Sequence, residues 1–157
     1  MTDAQTPSED LPQLQVNMQY IKDLSFEIPG APHSFIEMQG KNPEIPIHVD
    51  VNVANVGANA YEVVLHLKVE ALLEGKALFI LELAYAGVFT LNLPEDQIHP
   101  VLLIECPRLL FPFARNIVAD MTRDGGLPPL LLQPLDFVQL YRARVEEMNA
   151  QQAAGQA

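Results

Sequence analysis

The residues of this 157-residue chain that could carry chemistry are its four histidines, its one cysteine and its twenty carboxylates. Their spacing speaks against catalysis. His33, His48, His66 and His99 stand singly along the chain, whereas a zinc-binding helix needs two histidines one turn apart. Cys106 abuts Pro107 with no basic neighbour to stabilise a thiolate, so it reads as a buried, inert thiol. Asp50 and His66 fall on neighbouring strands as a base–orienter pair, but no nucleophile accompanies them. Phosphate-cradling glycine loops and nucleophile elbows are absent as well. The chain therefore reads as a non-enzyme without metal or cofactor. One carboxylate arrangement remains. Asp23 and Glu27 lie four apart in an alternating segment, on one face and about 13 Å apart at ~3.3 Å per residue. Ile80 and Glu82 likewise share a face of a later strand. Taken alone, such residues are ordinary solvated side chains.

The elements that position them follow from hydrophobic period. In the first strand Leu14, Val16, Met18, Tyr20, Leu24 and Phe26 occupy one face and polar residues the other. Pro29-Gly30 ends it, and a crossover runs to Pro43. The second strand puts Ile45, Ile47, Val49, Val51 and Val53 on one side. In the third, Tyr61, Val63, Leu65, Leu67 and Val69 oppose Glu62, Val64, His66, Lys68 and Glu70. The fourth, near 78–91, is apolar on both faces apart from Glu82 and Thr90, and short connections make these three an antiparallel meander. Beyond Pro94 the period becomes helical. A short helix opens at Pro94-Glu95-Asp96, and a longer one spans about 107–123 with Leu109, Phe113, Ile117 and Met121 as its stripe, flanked by Leu110, Ala114 and Val118. After a Leu/Pro loop, a last helix over 135–148 carries Phe137, Leu140, Tyr141, Val145 and Met148. Strands first and helices last predict an α+β fold: a four-stranded antiparallel sheet with two main helices packed on one face. Residues 11–148 form the single domain. Residues 1–10 read as a disordered acidic tail and 149–157 as a flexible C-terminal tail.

Composition narrows the partners. Twenty acids against nine bases give a net charge of −11, which disfavours nucleic acid and anionic membrane surfaces. All of that net charge lies before Cys106, because 106–157 balances five acids with five arginines. Hydrophobic residues nevertheless make up 49% of the chain, and its mean hydropathy is +0.11, high for so acidic a sequence. No uncharged apolar run approaches the roughly 18 residues of a bilayer span, so membrane insertion is not expected. A single cysteine and no secretory leader ahead of the first strand point to the cytoplasm.

Five segments, in order from about residue 13 to 141, resemble the SecB family of bacterial protein-export chaperones. They are Tyr20–Glu27 (YIKDLSFE) with Pro29, Ala31-Pro32-His33 and Phe35; Tyr61–Leu65 (YEVVL); Phe79–Phe89 (FILELAYAGVF); Cys106-Pro107 with Leu110–Arg115 (LFPFAR); and Gly126–Phe137 (GLPPLLLQPLDF). The resemblance implies a cytosolic homotetramer, a dimer of dimers, that holds unfolded precursor proteins without ATP. It also implies that these precursors are delivered to the SecA motor ATPase. Asp23, Glu27, Ile80 and Glu82 match the family positions that form a flat acidic surface for basic SecA segments. The client groove would use Phe35 and Met38 in the crossover, and Ile45, Ile47 and Val49 on the second strand. Leu127, Leu130 and Leu131 in the loop, and Phe137 and Tyr141 on the last helix, would complete it. Family members often carry a crossover tryptophan; this chain has none, and Met38 offers the adaptable apolar contact instead. The competing reading is a structural or small-ligand-binding oligomeric domain that uses the same apolar faces for assembly and has no chaperone activity.

Overall fold

The computed structural model describes residues 11–155, so the acidic tail expected over 1–10 lies outside the described residues. Four strands, β1 (Leu14–Glu27), β2 (Ile47–Gly57), β3 (Ala60–Leu73) and β4 (Lys76–Leu91), form one antiparallel sheet in the order β1-β4-β3-β2. The β3–β4 hairpin turns at Glu74-Gly75, both at positive φ (53° and 82°), the tight turn that matches strand twist. The crossover leads from β1 on one edge to β2 on the other and holds a five-residue helix, α1 (His33–Glu37).

Three helices follow: α2 (Glu95–Leu103), α3 (Glu105–Asp124) and α4 (Phe137–Ala154). The core forms between α3 and the helix-facing side of β3 and β4, where Val63, Leu65, Leu67, Val69, Leu81 and Phe89 meet Cys106, Leu110, Ala114 and Val118. Gly87 sits at this contact. A Cβ there would come 2.9 Å from the Phe89 ring and 3.0 Å from Leu110, so the missing side chain lets α3 approach the sheet.

Four departures from the periodic reading matter. First, β1 does not keep one phase: register shifts lie between Val16 and Met18 and between Ile21 and Asp23. Each bulge moves the alternation by one residue, so Met18 and Tyr20 face away from the helices while Leu14, Leu24 and Phe26 face them. Second, the buried side of α3 is the flank, Leu110, Ala114 and Val118, whereas Leu109 and Phe113 of the expected stripe are exposed. Third, α4 docks mainly on α2 and α3 rather than lying on the sheet beside α3, and only its Phe137 is buried. Fourth, the flexible tail expected from 149 is helical through Ala154, because Ala and Gln are good helix formers that simply continue the preceding turns. The helix begins where Asp136 accepts a hydrogen bond from the Gln139 backbone N–H at 3.1 Å.

Candidate functional site

The face of the sheet turned away from the helices carries the expected acidic residues together. Glu27 on β1 pairs with Ile80 on β4, Ser25 pairs with Glu82, and Asp23 with Ala84. Asp23, Glu27, Ile80 and Glu82 therefore lie on one face, at the end of the sheet nearest the β3–β4 turn. The two bulges leave this end of β1 in phase, and Asp23, Glu27 and Glu82 are exposed. Pairing with β3 adds two residues that periodicity had placed on the polar side of that strand without a role: Lys68 opposite Glu82 and Glu70 opposite Ile80. Lys68 Nζ lies 3.7 Å from Glu82 Oε1, with both side chains about half exposed.

Farther along the same face Glu62 is held by two donors, Lys22 Nζ at 2.7 Å and the Tyr20 hydroxyl. These donors hold its carboxyl below the usual carboxylate range, while the bond to Glu62, aided by burial, pushes the Tyr20 hydroxyl up to about 12. Tyr20 also packs over the small apolar group Val64, Ala84 and Ala86. A shallow depression of about 370 Å³ opens between these features, lined in part by Asp23, His48, Asp50, His66, Lys68 and Glu82. Asp50 and His66 do stand opposite one another across β2 and β3, but they form no base–orienter pair. Asp50 Oδ1 accepts from the Val51 N–H at 2.9 Å, and His66 Nε2 lies 3.0 Å from Asn52 Nδ2. Among the described residues no group of three His, Cys, Asp or Glu is placed to hold a metal ion. Burial, then the neighbouring Glu105 charge, pushes the Cys106 thiol up to about 12.

The apolar residues expected to hold a client divide by burial. Leu127 and Phe137 are core residues, 9% and 2% exposed, and so offer a ligand almost no surface. Phe35, Met38, Ile45, Val49, Leu130 and Tyr141 are partly buried against the same core, while Ile47 and Leu131 are open to solvent. Val49 and Tyr141 meet across a groove of about 400 Å³ between β2 and α4, whose wall also includes Val51, Leu103, Leu140 and Arg144. Arg144 Nη1 donates to the Val51 carbonyl at 2.7 Å, tying α4 to the sheet edge. The crossover residues do not line that groove: Phe35 lies against Gly126, past the C-terminal end of α3. Thr122, which periodicity gave no reason to single out, positions the leucine loop. Its buried hydroxyl lies 3.0 Å from both the Val118 and Ala119 carbonyls and accepts from the Leu130 N–H at 2.9 Å.

No helix among the described residues is long and apolar enough to cross a membrane. The fold resembles that of a SecB-like chaperone from Mycobacterium tuberculosis, solved with an antitoxin peptide. That match has a TM-score of 0.66 at 19% identity and covers 79% of this chain and 91% of the other. Sequence relatives are far nearer. The protein-export protein SecB of Paramagnetospirillum magneticum is 95% identical over 152 residues, 97% of this chain and 98% of that one. Its counterpart from Rhodospirillum rubrum is 56% identical over 149 residues, covering 95% and 92%. The family described as preprotein translocase subunit SecB matches residues 7–148. A flat acidic sheet face, an apolar groove on the opposite side and these matches together place the chain in the SecB family of protein-export chaperones, not among enzymes.

Proposed function

We propose that this chaperone binds unfolded precursor proteins through its helix-side apolar surface, keeps them export-competent without nucleotide, and delivers them to SecA through the acidic sheet face. The arrangement of Asp23, Glu27, Ile80 and Glu82 on one solvent-facing end of the sheet is the observation that carries the delivery step. Opposite charge on exposed faces speeds encounter and makes it sensitive to salt, which suits a transient hand-over. Holding diverse clients calls for adaptable apolar surface rather than a shaped pocket, and exposed Ile47, two residues from Val49 of the Val49–Tyr141 groove, and exposed Leu131 in the leucine loop supply it. The working form is a cytoplasmic homotetramer, a dimer of dimers. Ile21 and Phe113 favour such assembly: they are 49% and 52% exposed and meet at Tyr85, which pairs with Ile21 and stacks on the Phe113 ring.

Two measurements test the reading. Mixed with a slow-folding precursor, equimolar tetramer should suppress light scattering in the absence of nucleotide; scattering equal to that of a control protein would favour the purely structural alternative. Glu82→Lys should weaken SecA binding by an order of magnitude or more at low salt, since it turns an attractive charge repulsive. Unchanged affinity with an intact tetramer would remove the acidic face from the delivery step.

A further inference from the structure

The register of β3 brings two charges of opposite sign onto the acidic face. Glu70 stands opposite Ile80, which on its other side stands opposite Glu27, so one row across three strands reads Glu27–Ile80–Glu70. Two strand spacings separate the carboxylate-bearing backbones by roughly 9–10 Å. The next row reads Ser25–Glu82–Lys68, with the Lys68 ammonium 3.7 Å from Glu82. We infer that β3 completes the docking surface with two opposed contributions: Glu70 supplies a further carboxylate to a basic partner, and Lys68 competes with that partner for Glu82. The inference rests on the docking reading above and adds residues that this reading does not contain.

The physical reasoning is local. Ile80 alone between two carboxylates gives a cationic segment an apolar contact with a charge on each side, whereas with Glu27 alone it has a charge on one side. A partner cation approaching Glu82 meets a carboxylate that already holds an ammonium, so it must displace Lys68 and tolerate the positive charge left nearby. Both side chains of that pair are about half exposed, so the displacement is affordable and the pair tunes affinity without blocking docking. Residues on β1 and β4 thus set whether a basic partner docks, and the two on β3 set how tightly.

Binding of the intact tetramer to purified SecA, measured at low and at physiological salt, tests this. Glu70→Gln should weaken binding about two- to fivefold and Lys68→Ala should tighten it by a similar factor, both effects shrinking as salt rises. Glu37→Gln, an equal change of charge at an exposed position of α1, outside the strands, should leave affinity unchanged. Glu70→Lys provides a second, stronger variant, and an unchanged thermal melt shows that each protein is folded. If Glu82→Lys abolishes binding but the Lys68 and Glu70 variants match wild type, or shift no more than Glu37→Gln, the part given to β3 is overturned and the docking reading stands. If Glu82→Lys binds SecA normally, the docking reading falls and the inference falls with it.

Discussion

Glu62, Lys22 and Tyr20 make a hydrogen-bonded triad on an otherwise flat sheet face, and their coupling predicts pH behaviour at the scale of single residues. Glu62 is more acidic in the fold than unfolded, so its stabilisation is present above the unfolded carboxylate value and is lost as pH falls through the lower folded value. Tyr20 is shifted the opposite way. An unfolded tyrosine ionises near ~10, whereas the folded hydroxyl holds its proton up to about 12, so its contribution is complete below ~10 and disappears through 12. Tyr20→Phe should cost about 1 kcal/mol at neutral pH and flatten the loss of stability between ~10 and 12, as read from urea midpoints across pH. An identical alkaline slope in the variant would mean that another group carries it. Cys106 belongs to the same scale. Its thiol is fully buried and pushed up to about 12, so a disulfide reagent should leave it unmodified at neutral pH until denaturant opens the core.

At the scale of elements, β1 shows how two local irregularities redirect a whole strand. Its polar–apolar alternation is unbroken in sequence terms between Leu14 and Tyr20, yet the first bulge sends Met18 and Tyr20 to the face opposite Leu14, and the second restores the phase for Leu24 and Phe26. The consequence is a change of neighbours. Tyr20 reaches Glu62 and covers Ala84 and Ala86, while Ile21 is left on the helix side beside Tyr85. The α3–sheet contact yields a prediction of sign. A strand glycine replaced by alanine normally gains about 0.5–1 kcal/mol from reduced chain entropy. At Gly87 the new Cβ would press on Phe89 and Leu110, an overpacking cost of about 1–3 kcal/mol, so Gly87→Ala should lower the melting temperature by a few degrees. A higher melting temperature would show that α3 can retreat without loss.

For the molecule as a whole, much of the exposed grease lies on the side of the sheet opposite the docking acids, with Met18, 55% exposed on the acidic face, as an exception. The acids implied in docking face away from the helices, and the large exposed apolar side chains Ile21, Leu109, Phe113 and Leu131 lie on or beside the helix side. Surface of that kind is costly to leave in water, which is the physical reason to expect assembly. A solution mass near four times 17.4 kDa is the expected result, and Phe113→Glu should reduce it to a smaller species by placing a charge in the contact. A wild-type mass of one chain would remove the tetramer, and with it the role given to the Ile21–Phe113 surface.

Much of this was readable from residues in order. Alternation marked the first three strands and an apolar run the fourth, Pro94-Glu95-Asp96 opened the short helix, and five spaced segments carried the family resemblance. Those signals are local: a residue's period, cap or turn chemistry depends on neighbours a few positions away. What the sequence could not decide were relations across strands and between layers. Lys68 and Glu70 gained a role only when antiparallel register set them opposite Glu82 and Ile80. Leu109 and Phe113 read as a core stripe until the docking of α3 buried the adjacent flank instead. Asp50 and His66 were placed opposite one another yet each bonded a nearer group. Register, helix rotation and hydrogen-bond choice are settled by contacts between residues far apart in the chain, and only the folded structure brings those together.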